Sequence, residues 1–147
     1  MIETLLVYSA LAYVGLVPKQ KYSDYLDDEF LKNPDNELLF ELEWHSSDII
    51  KSINLICRHG RTADFDSASF EKMLFEKLEI IYFMKTIDIN EFAKKTFAIW
   101  QILSPILPYN TDGYCFNDLN YADDFLAYGD EKTARKFYED MFNFYRR

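Results

Sequence analysis

Start signals for helices recur along this chain, and they constrain its fold more than any other feature of the sequence. The Ser-Ser-Asp run at 46–48, Asp88 and Asp130 each precede a segment with helical spacing of apolar residues. A serine or aspartate at such a point accepts a hydrogen bond from a free backbone N–H of the first turn. Glu91 follows Asp88 by three residues, which is the spacing of a capping box. We therefore expect a helix to begin after each of these signals.

Apolar residues follow helical spacing between the start signals. The segment after Asp48 carries one such stripe, and Gly60 is placed to end it as the residue just after the helix. The longest segment, 67–87, is apolar nearly all round, since Phe75, Ile80 and Phe83 lie opposite its main stripe. A helix of that kind is typical of the centre of a bundle. The last segment has the apolar stripe Phe137, Tyr138, Met141, Phe142 and Tyr145.

Residues 38–44 fit two kinds of secondary structure. Phe40, Leu42 and Trp44 alternate with acidic residues, which is the pattern of one face of a strand. The preceding Asn33-Pro34 pair supplies an N-cap with proline in the first helical position, and leucine and glutamate favour helix. We prefer a short helix and keep the strand as the alternative.

The composition agrees with a compact helical protein. Hydrophobic residues make up 49% of the 147 residues, and only 4 Gly and 4 Pro are present, which disfavours disorder and a turn-rich β-sandwich. Asn117 or Asp118 can cap one further helix, which Gly129 would end. We predict an all-α fold, a single compact bundle of six or seven helices that forms one domain over residues 1–147.

The charge of the chain limits its partners. A formal net charge of −9 repels nucleic acid and anionic lipid, and it attracts basic surfaces. The apolar run 1–17 contains Glu3, lacks a basic leader and is shorter than a membrane span, so we interpret it as a core helix. Cys57 and Cys115 fit two buried thiols in a reducing compartment. These features predict a cytoplasmic protein with no nucleic-acid or membrane partner.

The stretch ICRHGRTA at 56–63 resembles the signature of the histidine-phosphatase family, in which His59 would be the phosphorylated nucleophile and Arg58 a phosphate clamp. That family also needs a second histidine downstream, and none follows His59 here. We therefore expect Arg58 and His59 in the last turn of a helix, where cations suit the helix dipole. The chain also lacks glycine-rich phosphate loops and metal-ligand spacing. We predict no enzymatic activity, no cofactor and no metal site.

Acidic residues are concentrated in two parts of the chain. From Asp24 to Asp48 there are nine acidic residues and one basic residue, Lys32. From Thr96 to Glu131 there is no lysine or arginine, and aspartates alternate with aromatic residues. Carboxylates among tyrosines can occupy a basic groove, because charge steers association and aromatic rings supply binding energy. The residues that we predict to contact a partner are Asp112, Asp118, Tyr121, Asp123, Asp124 and Tyr128. The run from Asp24 to Glu43 is the second candidate for these contacts.

A small, acidic, helical chain without a catalytic constellation, containing NELLFELEWHSSDII at 36–50, resembles bacterial immunity proteins of contact-dependent growth inhibition systems. The resemblance implies that the protein binds one cognate toxin domain with a basic surface, such as a nuclease, and neutralises it as an antitoxin does. The alternative is a non-catalytic interaction or scaffold module that self-associates into a homo-oligomer.

Overall fold

The structure, a computed structural model, describes residues 1–146 and consists of helices and their connections within that range. The eight α-helices are α1 (Ile2–Tyr13), α2 (Lys19–Lys32), α3 (Glu37–Trp44), α4 (Ile49–Gly60), α5 (Ser67–Met84), α6 (Ile89–Leu103), α7 (Ala122–Ala127) and α8 (Glu131–Tyr145). A short 3₁₀ helix, Phe116–Asn120, precedes α7. The all-α prediction is confirmed. The predicted count of six or seven helices is too low, since the described residues form eight α-helices.

Contacts within the chain cluster into two compact units. Unit 1 comprises residues 1–70 and 106–110, and unit 2 comprises residues 71–105 and the segment from Thr111 onward. The organisation as one domain over residues 1–147 stays a prediction.

Unit 1 is built around α1. This helix packs against α2 and α4, and α3 packs against the same two helices. The prediction that the N-terminal run forms a core helix is confirmed, since most of α1 is buried. The fully buried apolar side chains of unit 1 include Leu5, Leu6, Leu11, Leu26, Leu39, Leu42, Ile53 and Ile56.

The capping aspartates act as the sequence predicts. The side chain of Asp48 accepts a hydrogen bond from the Lys51 backbone N–H at 3.1 Å. Asp88 and Asp130 cap α6 and α8 in the same way, at 2.8 and 3.0 Å. Gly129 has a φ of 75° and follows α7, as expected of a glycine after a helix. These helix starts are therefore fixed by local hydrogen bonds.

Residues 38–44 are helical, so the preferred interpretation of this segment is confirmed and the strand is excluded. The predicted cap was wrong. Asn33 ends α2, where its backbone N–H donates to the carbonyls of that helix, and Asn36 caps α3 by accepting from Leu39 N–H at 3.1 Å. Asn33 therefore ends α2, and Asn36, three residues later, starts α3.

Unit 2 is held together by aromatic side chains. Phe92 on α6 lies 4.9 Å from Tyr138 on α8 between ring centroids, in an edge-to-face arrangement. Tyr82 and Phe142 add further ring contacts to the same cluster, at 5.5 Å from Phe92 and 6.2 Å from Tyr138 respectively. The buried Thr96 hydroxyl lies 2.6 Å from the Tyr138 hydroxyl. Helices α5, α6 and α8 thus share one aromatic core.

The residues that were expected to make α5 apolar all round are not all buried. Phe75 is buried, but Ile80 and Phe83 are exposed, so the prediction of a helix with a buried opposite side is wrong at these two positions. The helix also ends at Met84 instead of continuing to residue 87. Lys85 follows with a φ of 56°, a left-handed conformation that stops the helix.

Replacing Lys85 by glycine is expected to raise the free energy of unfolding by about 0.5–1 kcal/mol, because glycine adopts a positive φ without the strain of a Cβ. Urea unfolding followed by circular dichroism measures the change. Lys94→Gly, at an exposed position inside α6, is the matched control and is expected to cost about 1 kcal/mol. Equal destabilisation by both variants would contradict the interpretation of Lys85 as a strained helix end.

The predicted cap at residues 117–118 is wrong. These residues lie within the 3₁₀ helix, and α7 begins after Tyr121 without a side-chain cap. The Asn117 side chain instead donates to the Thr111 hydroxyl at 2.9 Å and accepts from the Trp100 indole at 3.3 Å. The Asn117 side chain therefore bonds Thr111 and Trp100 instead of the backbone N–H that an N-cap would bond.

Candidate interaction surfaces

The first candidate surface, which we call the α7 face, consists of Asp124 on α7 and of Tyr121 and Tyr128, which directly precede and follow this helix in unit 2. Tyr121, Asp124 and Tyr128 follow one another at spacings of three and four residues, so they lie on one side of the helix. Tyr128 is 91% exposed and Tyr121 is 48% exposed. The Tyr121 ring rests edge-on against Phe137, with 6.4 Å between centroids. This contact holds one aromatic ring of the face in place while leaving much of it open.

The other predicted contact residues are placed differently. Asp112 is exposed in the loop before the 3₁₀ helix. Asp118 is half-buried, and burial raises the pKa of its carboxyl group. Asp123 is also half-buried, and its charge contributes, after burial, to the raised pKa of Tyr138. The structure therefore gathers three of the six predicted residues on one open face, and a binding role for all six stays a prediction.

The second candidate surface is α3 in unit 1, within the acidic run from Asp24 to Asp48. Phe40 is 56% exposed and Trp44 is 75% exposed. They are four residues apart on the helix, and their rings stack with 6.4 Å between centroids. Glu37 and Glu41 are exposed beside them. We call these two aromatic and two acidic residues the α3 face.

The sequence indicates the acidic run from Asp24 to Glu43 as the second candidate for contacts, but the exposed aromatic pair Phe40 and Trp44 was missed. Read as a strand, Phe40, Leu42 and Trp44 share one side. In the helix, Leu42 is fully buried and the two aromatic rings point away from it. The four-residue spacing of Phe40 and Trp44, offset from the buried leucines, would have identified an exposed aromatic pair.

Arg58 and His59 lie in the last turn of α4, so the interpretation of this stretch as a helix end is confirmed. Together with Glu37 and Glu41 they line a hollow of about 500 Å³. Within residues 1–146 neither glutamate lies within 4.0 Å of Arg58 as an ion pair. The hollow combines exposed charges of both signs.

Gly60 is helical, so its predicted place after the end of the helix is wrong. A Cβ at this position would lie 3.0 Å from Pro108 Cγ and 3.2 Å from Phe65 Cδ2. The glycine therefore allows α4 to approach these two side chains closely. Close packing, not a left-handed turn, accounts for the glycine of the Arg-His-Gly stretch.

A carboxyl pair joins α2 and α3. Burial raises the pKa of Glu43 to about 7, and the neighbouring Asp27 adds to the shift by bonding the protonated form and repelling the charged form. Glu43 Oε1 is buried and has no hydrogen-bond partner within the described residues. Above neutral pH two carboxylates with little compensation therefore face each other.

Glu43→Gln is expected to raise the free energy of unfolding at pH 8, because it removes the half-buried charge that Asp27 repels. The expected gain is only about 1 kcal/mol, because solvent screens part of the repulsion from the exposed Asp27. A carboxyl group whose pKa is raised on folding is protonated in the folded state while it ionises in the unfolded state. Stability of the wild type should therefore fall as the pH rises from 4.5 to about 7. Denaturant unfolding at pH 5 and pH 8 measures the difference.

The matched control is Glu41→Gln, which removes an exposed glutamate two residues away on the same helix. It is expected to leave the difference between the two pH values unchanged. If the two variants shift that difference equally, the Asp27–Glu43 pair is not its origin.

The remaining chemistry of the described residues is sparse. Cys57 is buried, which raises the pKa of its thiol to about 12, but Cys115 is only half-buried, so the prediction of two buried thiols is wrong for Cys115. The Tyr145 hydroxyl accepts a hydrogen bond from the Cys115 backbone N–H at 3.1 Å. Among residues 1–146 no group of three or more histidine, cysteine or acidic side chains is arranged to hold a metal ion. None of the helices in that range combines the length and the hydropathy needed to cross a membrane.

Comparison of the chain with protein-family models, with curated proteins and with solved structures finds no match.

Proposed function

We propose that the protein is a non-catalytic immunity protein, which binds a cognate basic toxin in the cytoplasm and neutralises it by protein–protein interaction. The observation that carries this proposal is the α7 face, where two exposed tyrosines flank Asp124. The face belongs to a stretch, 96–131, that contains no lysine or arginine. The partner that fits such a surface is a protein with a basic groove.

The physical basis is electrostatic steering combined with aromatic burial. A toxin that acts on nucleic acid needs a basic surface, because phosphate contacts dominate binding of nucleic acids. The net charge of −9 accelerates encounter with such a surface, and exposed tyrosines supply the area that is buried on docking. Covering the groove requires surface complementarity only. This makes a nuclease the toxin class that we propose.

The double variant Asp124→Lys, Tyr128→Ala is expected to weaken toxin binding by about tenfold to hundredfold, because it reverses one charge and removes one aromatic anchor. Both side chains are exposed, so the helical circular dichroism should not change. Binding is measured by calorimetry and neutralisation by growth of cells that co-express the toxin. Asp123 is left intact, because it is half-buried in the first turn of α7.

The control is Glu76→Lys, Phe144→Ala, which makes the same kinds of change at exposed positions of α5 and α8 in unit 2. It is expected to retain binding and neutralisation. Equal loss of binding in both double variants would remove the α7 face from the proposal and indicate a general effect of charge.

The partner itself is identified by affinity capture of the tagged protein from the organism that encodes it, at low and high salt. A basic protein at equal stoichiometry, whose toxicity disappears on co-expression with this chain, is the expected result. Recovery of the bait alone at both salt concentrations, with a dimer in sedimentation, would contradict the proposal and favour the self-associating module.

A further inference from the structure

The α3 face exposes two large aromatic rings that take little part in the core of unit 1. The inner side of α3 carries Leu38, Leu39 and Leu42, which are buried in unit 1. Phe40 and Trp44 contribute little to that core, since more than half of each side chain is exposed. Exposed aromatic patches of this kind mark interaction sites in soluble proteins. Tryptophan is also among the residues that contribute most to binding.

Two shallow hollows flank these rings. One, of about 290 Å³, is lined by Phe40, Glu41, Trp44 and His45. The other, of about 330 Å³, is lined by residues 34–37 together with Phe40 and Glu41. Each hollow has an aromatic wall and at least one carboxylate. Because they lie open on the outer side of a helix, they suit single side chains of a docked protein better than an enclosed small molecule.

The charges around the rings select a cationic side chain. Asp35, Glu37 and Glu41 are exposed at the two hollows. The single basic residue of the acidic run, Lys32, already lies 3.9 Å from Glu29. Arg58 of α4 lines a neighbouring hollow with Glu37 and Glu41, but within residues 1–146 it forms an ion pair with neither. The three carboxylates outnumber this cation and therefore still favour an external one.

Arginine fits this combination better than lysine. A guanidinium group stacks flat on an aromatic ring, and its N–H groups remain free in the ring plane to bond carboxylates. On α3, carboxylates and rings alternate at spacings of three and four residues, so their side chains are neighbours on the helix surface. A lysine ammonium is a compact, strongly hydrated charge and gains less from the exposed rings.

We infer that the α3 face is a docking surface for an arginine-bearing segment of a basic protein partner, with the guanidinium stacked on Trp44 and bonded to Glu41, which lines the same hollow. This inference rests on the proposed function only in assuming a basic partner. A second copy of the chain does not fit, because pairing two α3 faces would bring their carboxylates together on molecules of charge −9.

The experiment titrates the full chain with a hexa-arginine peptide and with a hexa-lysine peptide at low salt, followed by calorimetry. Hexa-arginine is expected to bind at least about fivefold more tightly than hexa-lysine, because stacking distinguishes the two cations. Trp44→Leu and the pair Glu37→Gln, Glu41→Gln should each weaken hexa-arginine binding about tenfold. These positions are exposed, so circular dichroism should show an unchanged fold.

The matched control is Glu76→Gln, Phe144→Ala, which also removes one acid and one exposed ring, at positions of α5 and α8 that belong to neither candidate surface. It is expected to bind hexa-arginine as the wild type does. Equal affinity of the two peptides, wild-type binding by Trp44→Leu, or a dimer in sedimentation that Trp44→Leu dissociates would each overturn the inference.

The peptide experiment and the toxin experiment test different proposals, so one proposal can fail without the other. Selective peptide binding without any captured toxin contradicts the proposed function and leaves the α3 face intact. Neutralisation of a captured toxin by Trp44→Leu at wild-type strength contradicts the inference and leaves the proposed function intact.

Discussion

Phe142→Ala is expected to lower the free energy of unfolding by about 3–5 kcal/mol, the usual cost of removing a buried aromatic ring and leaving a cavity. Phe142 is 1% exposed on α8. Its ring lies 5.4 Å from Tyr82 and 6.2 Å from Tyr138 between centroids, so its removal opens the shared core of α5 and α8. A loss of this size is a large part of the stability of a small protein.

Phe144→Ala is the matched control for this prediction. It removes the same ring two residues away on the same helix, at a position that is 50% exposed. Guanidinium unfolding should show a loss below about 1 kcal/mol for this variant, because much less apolar surface returns to water. Comparable losses for the two variants would mean that the aromatic cluster of unit 2 is not its core.

Tyr145→Phe is expected to cost about 3 kcal/mol, although it removes only one oxygen atom. The Tyr145 hydroxyl donates to Glu71 Oε1 at 2.5 Å and accepts from the Cys115 backbone N–H at 3.1 Å. Glu71 is completely buried. Removing a donor to a buried carboxyl group costs more than the hydrogen bond contributes, because the oxygen cannot recover its lost hydration.

The phenol is held in its protonated form by the same environment. Burial and the hydrogen bond to Glu71 raise the pKa of Tyr145, so the hydroxyl remains a donor at neutral pH. Tyr128→Phe provides the comparison, because the Tyr128 side chain is exposed and its hydroxyl can bond water. Denaturant unfolding should show no measurable change for Tyr128→Phe, and a similarly small change for Tyr145→Phe would contradict the role given to the Glu71 contact.

The helix starts were the most predictable part of the fold. Asp48, Asp88 and Asp130 each cap the helix that the sequence assigns to them, since a cap needs only a side chain and a backbone N–H three residues away. Two of the failures occur where tertiary contacts compete. Asn117 bonds Thr111 and Trp100 instead of capping a helix, and Gly60 serves packing against Pro108.

The candidate surfaces were predictable to a smaller extent. Their acidity is a property of the sequence, and the exposed face of α7 contains three of the residues predicted to bind a partner. The run from Asp24 to Glu43 was the second candidate, but the exposed aromatic pair of the α3 face was not predicted, because an alternating pattern leaves open which of Phe40, Leu42 and Trp44 is buried. The local sequence pattern also could not predict that Asp118 and Asp123 are half-buried, because burial depends on helices that are distant in the chain.

The sequence by itself determined the helical class, most of the helix starts and the negative charge of this protein, because caps, periodicity and charge act within one or two helical turns. The tertiary structure alone decided that Phe142 is buried and Phe144 exposed, that Glu71 meets Tyr145, and that Trp44 faces outward. These outcomes depend on which helices pack together, and residues as far apart as 71 and 145 come into contact only when the fold is complete.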